Sequence, residues 1–151
     1  MKIYVDTSVI NGLIATDAPE IQEKTKRFFA RVQKHEFDIY ISGIVIGEIE
    51  ATRDSVRQRQ LVEILDKYSF HQLEVPDAAL GLADEYVLRG IVPLTARSDA
   101  LHIAIASVHG IEVLVSWNFK HIVRHKTRTL ANALNGVQGY GQVDLCTPEE
   151  I

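Results

Sequence analysis

The sequence predicts an α/β fold of three layers, in which a central parallel sheet of four to five strands lies between two layers of helices. Short β-prone runs alternate along the chain with longer segments of helical periodicity, and strands that are separated by helices form parallel sheets. The runs Ile3–Val5 and Val113–Val115 are continuously apolar, which suits central strands covered on both faces. The 151 residues, of which 46% are hydrophobic and 24% charged, fit a single domain over residues 1–151.

The first half of the chain is predicted to contain two strands and three long helices. A strand over Lys2–Val5 stops at Asp6, and the two hydroxyl residues that follow can start a helix. Pro19 suits a first helical turn, and apolar residues recur after it at helical spacing as far as Lys34. The other elements predicted here are a strand over Phe37–Ile41, a helix over Ile44–Thr52, and a helix over Ser55–Tyr68 with Val56, Leu61, Val62 and Leu65 as its buried residues.

The second half is predicted to continue the alternation with three strands and three helices. Gly90 and Gly110 follow two of these helices and suit their ends. Asp77 and Ser98 are predicted to cap the starts of the same two helices. The predicted elements are a strand over Gln72–Val75, a helix from Asp77 to Arg89, a helix from Asp99 to His109, a strand over Glu112–Ser116, a basic helix that ends in the glycine-rich stretch 136–141, and a short strand over Val143–Cys146.

Charge, hydropathy and cysteine content exclude several classes of protein. A net charge of −4 argues against a protein that coats nucleic acid with its whole surface. No apolar run is long enough to span a bilayer, and the N-terminal apolar run meets Asp6 too early for a signal peptide, so a cytoplasmic protein is expected. The single cysteine, Cys146, can form neither an intramolecular disulfide nor a zinc site by itself.

Four polar residues stand where a parallel sheet places its ligand site, near the carboxyl ends of the strands. Asp6 follows the first strand, Glu48 lies in the helix after the second, Asp99 begins a helix, and Asn118 follows a later strand. Each residue also has a simpler interpretation. An aspartate can cap or begin a helix, a glutamate can lie on the surface, and an asparagine can form a turn.

The surroundings of two of these acids favour a functional role. Glu48 lies within the apolar stretch Ile44–Ile49, where an unpaired carboxylate is costly to bury. Asp99 begins a segment that is small and apolar on every side, which predicts a buried central helix. His102 follows one turn later and is interpreted as a packed, hydrogen-bonded core histidine rather than a metal ligand.

Together these segments resemble the PIN-domain family, which includes the VapC-type toxins of toxin–antitoxin pairs. The resemblance implies a parallel sheet flanked by helices and cleavage of RNA with Mg²⁺ or Mn²⁺. It also implies an antitoxin protein and a second copy of the chain as partners. The segments that carry it, in an order and spacing that span most of the domain, are Ile3–Ser8, Ser42–Glu48, Ser98–Ala104 and Leu114–Phe119.

The resemblance also implies roles for individual residues. Asp6, Glu48 and Asp99 would be metal ligands, and their oxygens suit a hard divalent cation. Asn118 stands where many members have a fourth acid, so one negative charge is missing and the number of metal ions, one or two, is left open. The residues that would support this catalytic group are Thr7, Ser8 and Ser116.

A basic segment follows Asn118 directly. Six of the nine residues from 120 to 128 are Lys, Arg or His. They could contact RNA phosphates, or they could form a solvated helix face. The candidate RNA-binding residues are Lys120, Arg124, Lys126 and Arg128.

Other families with an aspartate at a strand end fit less well. A receiver domain would need an acidic pair after the first strand, a haloacid-dehalogenase phosphatase would need a second aspartate at the position of Ser8, and a P-loop enzyme would need a glycine-rich Lys-Ser/Thr loop. A non-catalytic RNA-binding or partner-binding module on the same fold stays open as the alternative to a nuclease.

Overall fold

The structure, a computed structural model, describes residues 1–151 and is built around one five-stranded sheet. The strands stand in the order β3-β2-β1-β4-β5, and every neighbouring pair is parallel. This confirms the predicted central parallel sheet. The strands are β1 (Lys2–Val5), β2 (Asp38–Ser42), β3 (His71–Leu73), β4 (Val113–Val115) and β5 (Asp144–Cys146).

Seven α-helices flank the sheet. The chain moves outward from β1 to β3 and then returns across β1 to β4 and β5. Because parallel crossovers are right-handed, this reversal puts the helices of the two halves on opposite faces and gives the predicted three layers. The helices are α1 (Thr7–Gly12), α2 (Pro19–Gln33), α3 (Gly43–Glu50), α4 (Ser55–Lys67), α5 (Asp77–Leu88), α6 (Arg97–Val108) and α7 (His125–Gln138).

The reversal of strand order creates a switch point between β1 and β4. Tyr4 pairs with Leu114, and Val5 pairs with Val115, so the two strands end at the same level. Open α/β sheets bind ligands in the crevice at such a point, outside the carboxyl ends of the strands. The residues that follow β1 and β4 are therefore the candidates for a ligand-binding site.

The core agrees with the sequence pattern. Ile3, Tyr4 and Val5 are fully buried, as expected for a central strand. In α6 every residue from Ala100 to Ser107 is buried, which confirms the predicted central helix. No helix of the chain has both the length and the apolar character required to cross a membrane.

Two predicted helix caps are wrong. The N-cap of α5 is Pro76, and Asp77 is the first helical residue, where its charge favours the helix dipole. The N-cap of α6 is Ala96, and neither cap has a side-chain hydrogen bond. Ser98 lies inside α6 because the 3₁₀ turn Leu94–Ala96 leads directly into the helix at Arg97.

Three further details differ from the prediction. The third strand is His71–Leu73 instead of Gln72–Val75, because only the earlier residues pair with β2. In α4, Val56 and Val62 are 60% and 42% exposed, and Ile64 is buried together with Leu61 instead. The predicted basic helix is a helix only from residue 125 onward, since residues 119–124 form irregular turns.

Candidate active site

Asp6 lies at the switch point, directly after β1. Its backbone N–H donates to the carbonyl of Val115 at the end of β4, 3.3 Å away. Ser116 follows β4 and donates in the same way to the carbonyl of Cys146, 3.0 Å away. Continuation of the strand ladder therefore holds Asp6 and Ser116 side by side at the carboxyl edge of the sheet.

Both carboxylate oxygens of Asp6 accept hydrogen bonds from the protein. Oδ1 accepts from the Ser8 hydroxyl at 2.6 Å and from the backbone N–H of Val9 at 3.2 Å, so Asp6 is also the N-cap of α1. Oδ2 accepts from the Ser116 hydroxyl at 2.5 Å. Burial raises the pKa of this carboxyl above its usual range, and the charge of His102 and the hydrogen bonds offset the rise only in part. A cation would therefore stabilise the ionised form.

The two serine hydroxyls tie α1 to the segment after β4. Ser8 Oγ accepts from the N–H of Trp117 at 2.8 Å, and Ser116 Oγ accepts from the N–H of Asn118 at 2.9 Å. Each serine thus donates its proton to Asp6 and accepts a backbone N–H from the segment after β4. This arrangement fixes the orientation of the Asp6 carboxylate.

Glu48 projects from α3 toward α6. Its Oε1 accepts from Nε2–H of His102 at 2.6 Å and from the hydroxyl of Thr7 at 3.0 Å. Its Oε2 accepts no hydrogen bond from the protein, and the side chain is 36% exposed. One oxygen of Glu48 is therefore held in place while the other is available to a ligand.

A buried chain of hydrogen bonds stands behind Glu48. Nδ1 of His102 lies 2.7 Å from the hydroxyl of Tyr4, which lies 2.8 Å from the hydroxyl of Ser42. Ser42 also accepts from the N–H of Ile44 at 3.2 Å. Because an ionised carboxylate can only accept, Nε2 of His102 is assigned a proton whether the ring is neutral or charged.

The His102–Glu48 pair is favoured in its charged form. Burial raises the pKa of Glu48, but the hydrogen bond and charge of His102, together with Thr7, outweigh it and leave the pKa lowered. Burial lowers the pKa of His102, but the hydrogen bond to Glu48 and the charges of Asp6, Glu48 and Asp99 outweigh it and leave the pKa raised. These shifts favour a protonated His102, whose positive charge would lie among the three acids.

Asp99 lies half-buried in the first turn of α6, near Asn118. Burial raises the pKa of Asp99, and the charge of Glu48 raises it further. The Asn118 side chain and the charges of His102 and His121 lower it, but the balance stays above the usual range. Asn118 Oδ1 accepts from the N–H of His121 at 2.9 Å, and the same side chain lies near enough to Asp99 to lower the pKa of its carboxyl. Asn118 is therefore a turn residue whose side chain also influences Asp99.

The three acids do not form a ready-made ion cage. No group of three or more His, Cys, Asp or Glu side chains stands close enough to hold a metal ion. The donor chemistry nevertheless fits a hard divalent cation, because all three side chains offer oxygen ligands. Two of them, Asp6 and Asp99, have raised pKa values, so a cation would relieve charge that the protein compensates incompletely.

The basic segment borders this edge and is mostly open to solvent. Lys120, Arg124 and Lys126 are exposed, and Arg124 donates to the carbonyl of Lys120 at 3.1 Å. Arg128 is half-buried, and its Nε has no hydrogen-bond partner. Burial raises the pKa of Cys146 to about 12 despite the lowering effect of the Arg128 charge. Arg128 thus lies near the end of β5, whereas the other three cations face solvent.

Comparison with known proteins decides the family. The family model for the PIN domain matches residues 3–121, which is most of the chain. The chain belongs to the PIN domain family. This confirms the resemblance noted from the sequence motifs.

A solved structure supports the fold of this PIN domain. The crystal structure of VapBC2 from Rickettsia felis, bound to a DNA fragment from their promoter, matches with a TM-score of 0.56. The match covers 80% of this chain and 90% of the other at 16% sequence identity, a level that supports a shared fold. A comparison with curated proteins found no match.

Sequence reasoning missed the contact between His102 and Glu48. The prediction that His102 is a packed, hydrogen-bonded histidine is correct, but its partner is one of the candidate metal ligands. The spacing signalled only that His102 lies on the same helix face as Asp99, which it follows by three residues, and gave no sign of Glu48. Likewise, Tyr4 precedes Asp6 by two residues and points to the same side of the strand.

Proposed function

We propose that this PIN domain protein is a metal-dependent endoribonuclease. The observation that carries the proposal is the position of Asp6, a buried carboxylate held by two serine hydroxyls at the switch point of the sheet. Glu48 and Asp99 approach the same edge from neighbouring helices. PIN domains are generally nucleases, and this arrangement gives the chain the acidic group that such a reaction requires.

Asp6, Glu48 and Asp99 are proposed to hold Mg²⁺ or Mn²⁺. A divalent cation bound there supplies Lewis-acid stabilisation of the phosphodiester and lowers the pKa of water. The chain's own part is orientation: Ser8 and Ser116 fix Asp6. The Asn118 side chain lowers the pKa of Asp99 and is proposed to favour its ionised, metal-binding form. Hydrolysis by this route leaves a 5′-phosphate and a 3′-hydroxyl.

The proposed substrate is RNA, bound along the basic segment beside the acidic edge. Lys120, Arg124 and Lys126 are exposed and can approach phosphates, which an acidic site alone would repel. Arg128 is half-buried, so we assign it a smaller share of phosphate binding.

We further propose that the chain is the toxin of a toxin–antitoxin pair that acts in the cytoplasm as a homodimer. The support for an antitoxin partner is the fold shared with VapBC2 from Rickettsia felis, whose crystal structure holds a DNA fragment from their promoter. The homodimer and the cytoplasmic location are what the family resemblance implies. A neighbouring gene for a small DNA-binding protein that co-purifies with this chain would support the pairing. Purification of the chain without such a partner from its native cell would contradict it.

A cleavage assay tests the nuclease proposal. Purified protein is incubated with a pool of labelled single-stranded and structured RNAs in Mg²⁺, in Mn²⁺ and in EDTA, and product ends are mapped. We expect cleavage with either metal, 5′-phosphate ends and no reaction in EDTA. RNA binding without cleavage under any divalent metal would instead identify a non-catalytic RNA-binding module.

Charge reversal of the basic segment tests how RNA is held. The double variant Arg124→Glu/Lys126→Glu should weaken RNA binding, and the slope of its salt dependence should fall by roughly 0.7 for each phosphate that the protein no longer neutralises. Fluorescence anisotropy over a series of salt concentrations measures both quantities. Lys26→Glu reverses a similarly exposed charge on α2 and should leave both unchanged. Equal salt slopes for the double variant and the wild type would contradict the assignment.

A further inference from the structure

The two oxygens of the Glu48 carboxylate have different surroundings. Oε1 accepts two hydrogen bonds, from Thr7 at 3.0 Å and from His102 at 2.6 Å, while Oε2 accepts none. Two donors occupy both lone-pair directions of a carboxylate oxygen. Glu48 therefore has one oxygen free for a ligand.

Asp6 shows the same asymmetry. Its Oδ1 accepts from Ser8 and from the N–H of Val9, whereas Oδ2 accepts only from Ser116. Oδ2 thus retains one lone pair. Two of the three candidate ligands are held by protein donors so that each can offer a single oxygen.

Given the metal-dependent function proposed above, we propose that Thr7 and His102 restrict Glu48 to one metal-facing oxygen and thereby select Mg²⁺ and Mn²⁺ over Ca²⁺.

The preference follows from coordination chemistry. Mg²⁺ takes six ligands at about 2.0–2.1 Å and is bound by one or two carboxylates together with water. Ca²⁺ takes roughly six to eight oxygens and often uses both oxygens of one carboxylate. Glu48 can offer only Oε2, which fits the coordination of Mg²⁺. It lacks the second free oxygen with which a carboxylate favours Ca²⁺.

His102 is placed firmly enough to act this way. The residue is 2% exposed, and its other ring nitrogen contacts Tyr4, which contacts Ser42 at the end of β2. This series of hydrogen bonds anchors the ring to the central strands. Glu48 Oε1 therefore cannot turn toward a ligand without breaking its short hydrogen bond to His102. We assign His102 and Thr7 as positioning residues, since they act through Glu48.

The test measures ion preference directly in RNA-free protein. The melting temperature is measured at increasing concentrations of Mn²⁺ and of Ca²⁺, which gives a dissociation constant for each ion. The ratio of the two constants is then compared between the wild type, Thr7→Val, His102→Leu and the double variant. His102→Gln restores an N–H donor and tests for rescue. Thr52→Val is the matched control, because the Thr52 hydroxyl contacts the backbone carbonyl of Glu48 instead of its carboxylate.

We expect the dissociation constant for Ca²⁺, divided by that for Mn²⁺, to fall by about tenfold or more in the double variant. Loss of an outer partner of a metal ligand typically changes metal affinity by roughly 10- to 100-fold. His102→Gln should recover most of the ratio, and Thr52→Val should leave it intact. Thr7→Val changes little volume, so it gives an answer even if His102→Leu does not fold.

Two results would overturn the inference in distinguishable ways. An unchanged ratio in folded variants, with the wild type still binding Mn²⁺ and cleaving RNA, would refute the selective role of Thr7 and His102 and leave the nuclease proposal standing. A wild type that binds neither ion and cleaves no RNA would refute both.

Discussion

Asp6→Asn is expected to lower the rate of RNA cleavage by at least about 10²-fold, because removing a direct metal ligand should exceed the 10- to 100-fold cost of removing an outer partner. The same substitution is expected to raise the melting temperature of the protein measured in EDTA. Asp6 is buried at 3% exposure, and its charge is only partly compensated by His102 and by hydrogen bonds. An amide keeps the shape and the Oδ1 bonds, and removes that charge.

The gain in stability from Asp6→Asn should depend on pH. A carboxyl whose pKa is raised in the folded state contributes stability that is fully present below its unfolded pKa of about 3.9 and is lost as pH rises through the folded pKa. At neutral pH the ionised carboxylate therefore destabilises the fold relative to asparagine. The difference between variant and wild type should shrink as the pH falls toward 4.

Asp54→Asn is the matched control for Asp6→Asn. Asp54 is also a helix N-cap, but it is exposed and lies at the start of α4. Because asparagine caps helices about as well as aspartate, this control should change neither activity nor stability appreciably. Full activity in Asp6→Asn, or a loss of activity equal to that of Asp54→Asn, would remove Asp6 from the proposed site.

The fold, and the places of Asp6 and Asp99 in it, were predictable from local sequence pattern. The apolar run Ile3–Val5 and its end at Asp6 indicate a buried strand and where it stops, and the carboxyl ends of parallel strands meet at one edge of the sheet. The small and apolar residues that follow Asp99 likewise predict that this helix is buried. Such signals lie within a few residues of the position they describe, so a single sequence carries them.

The pairing of Glu48 with His102 was not predictable in this way. These residues are 54 positions apart and meet only because α3 packs against α6. The same limit explains the predicted burial of Val56 and Val62, since the side of α4 that meets the core is set by its neighbours. The predicted caps failed because the turn before each helix, at Pro76 and at Leu94–Ala96, decided where the helix begins.

Mg²⁺ or Mn²⁺ is expected to raise the melting temperature of the wild type by roughly 5–10 °C when present at about 100 times its dissociation constant. Binding at that excess contributes about 2.7 kcal/mol. A domain of this size shifts by roughly 2–4 °C per kcal/mol. EDTA should abolish the increase together with the cleavage activity.

Asp99→Asn tests whether Asp99 is a metal ligand or only an acid that favours the helix dipole. Asp99 and Asp77 each lie in the first turn of a 12-residue helix, where a carboxylate normally favours the helix dipole. Asp77 is exposed, so Asp77→Asn should cost a little stability and keep the full metal-induced increase in melting temperature. Asp99 has a raised pKa from burial and from Glu48, so Asp99→Asn should stabilise the protein in EDTA and lose most of that increase. If both variants respond to metal like the wild type, the carboxylate of Asp99 is a helix-start residue and the cation is held without it.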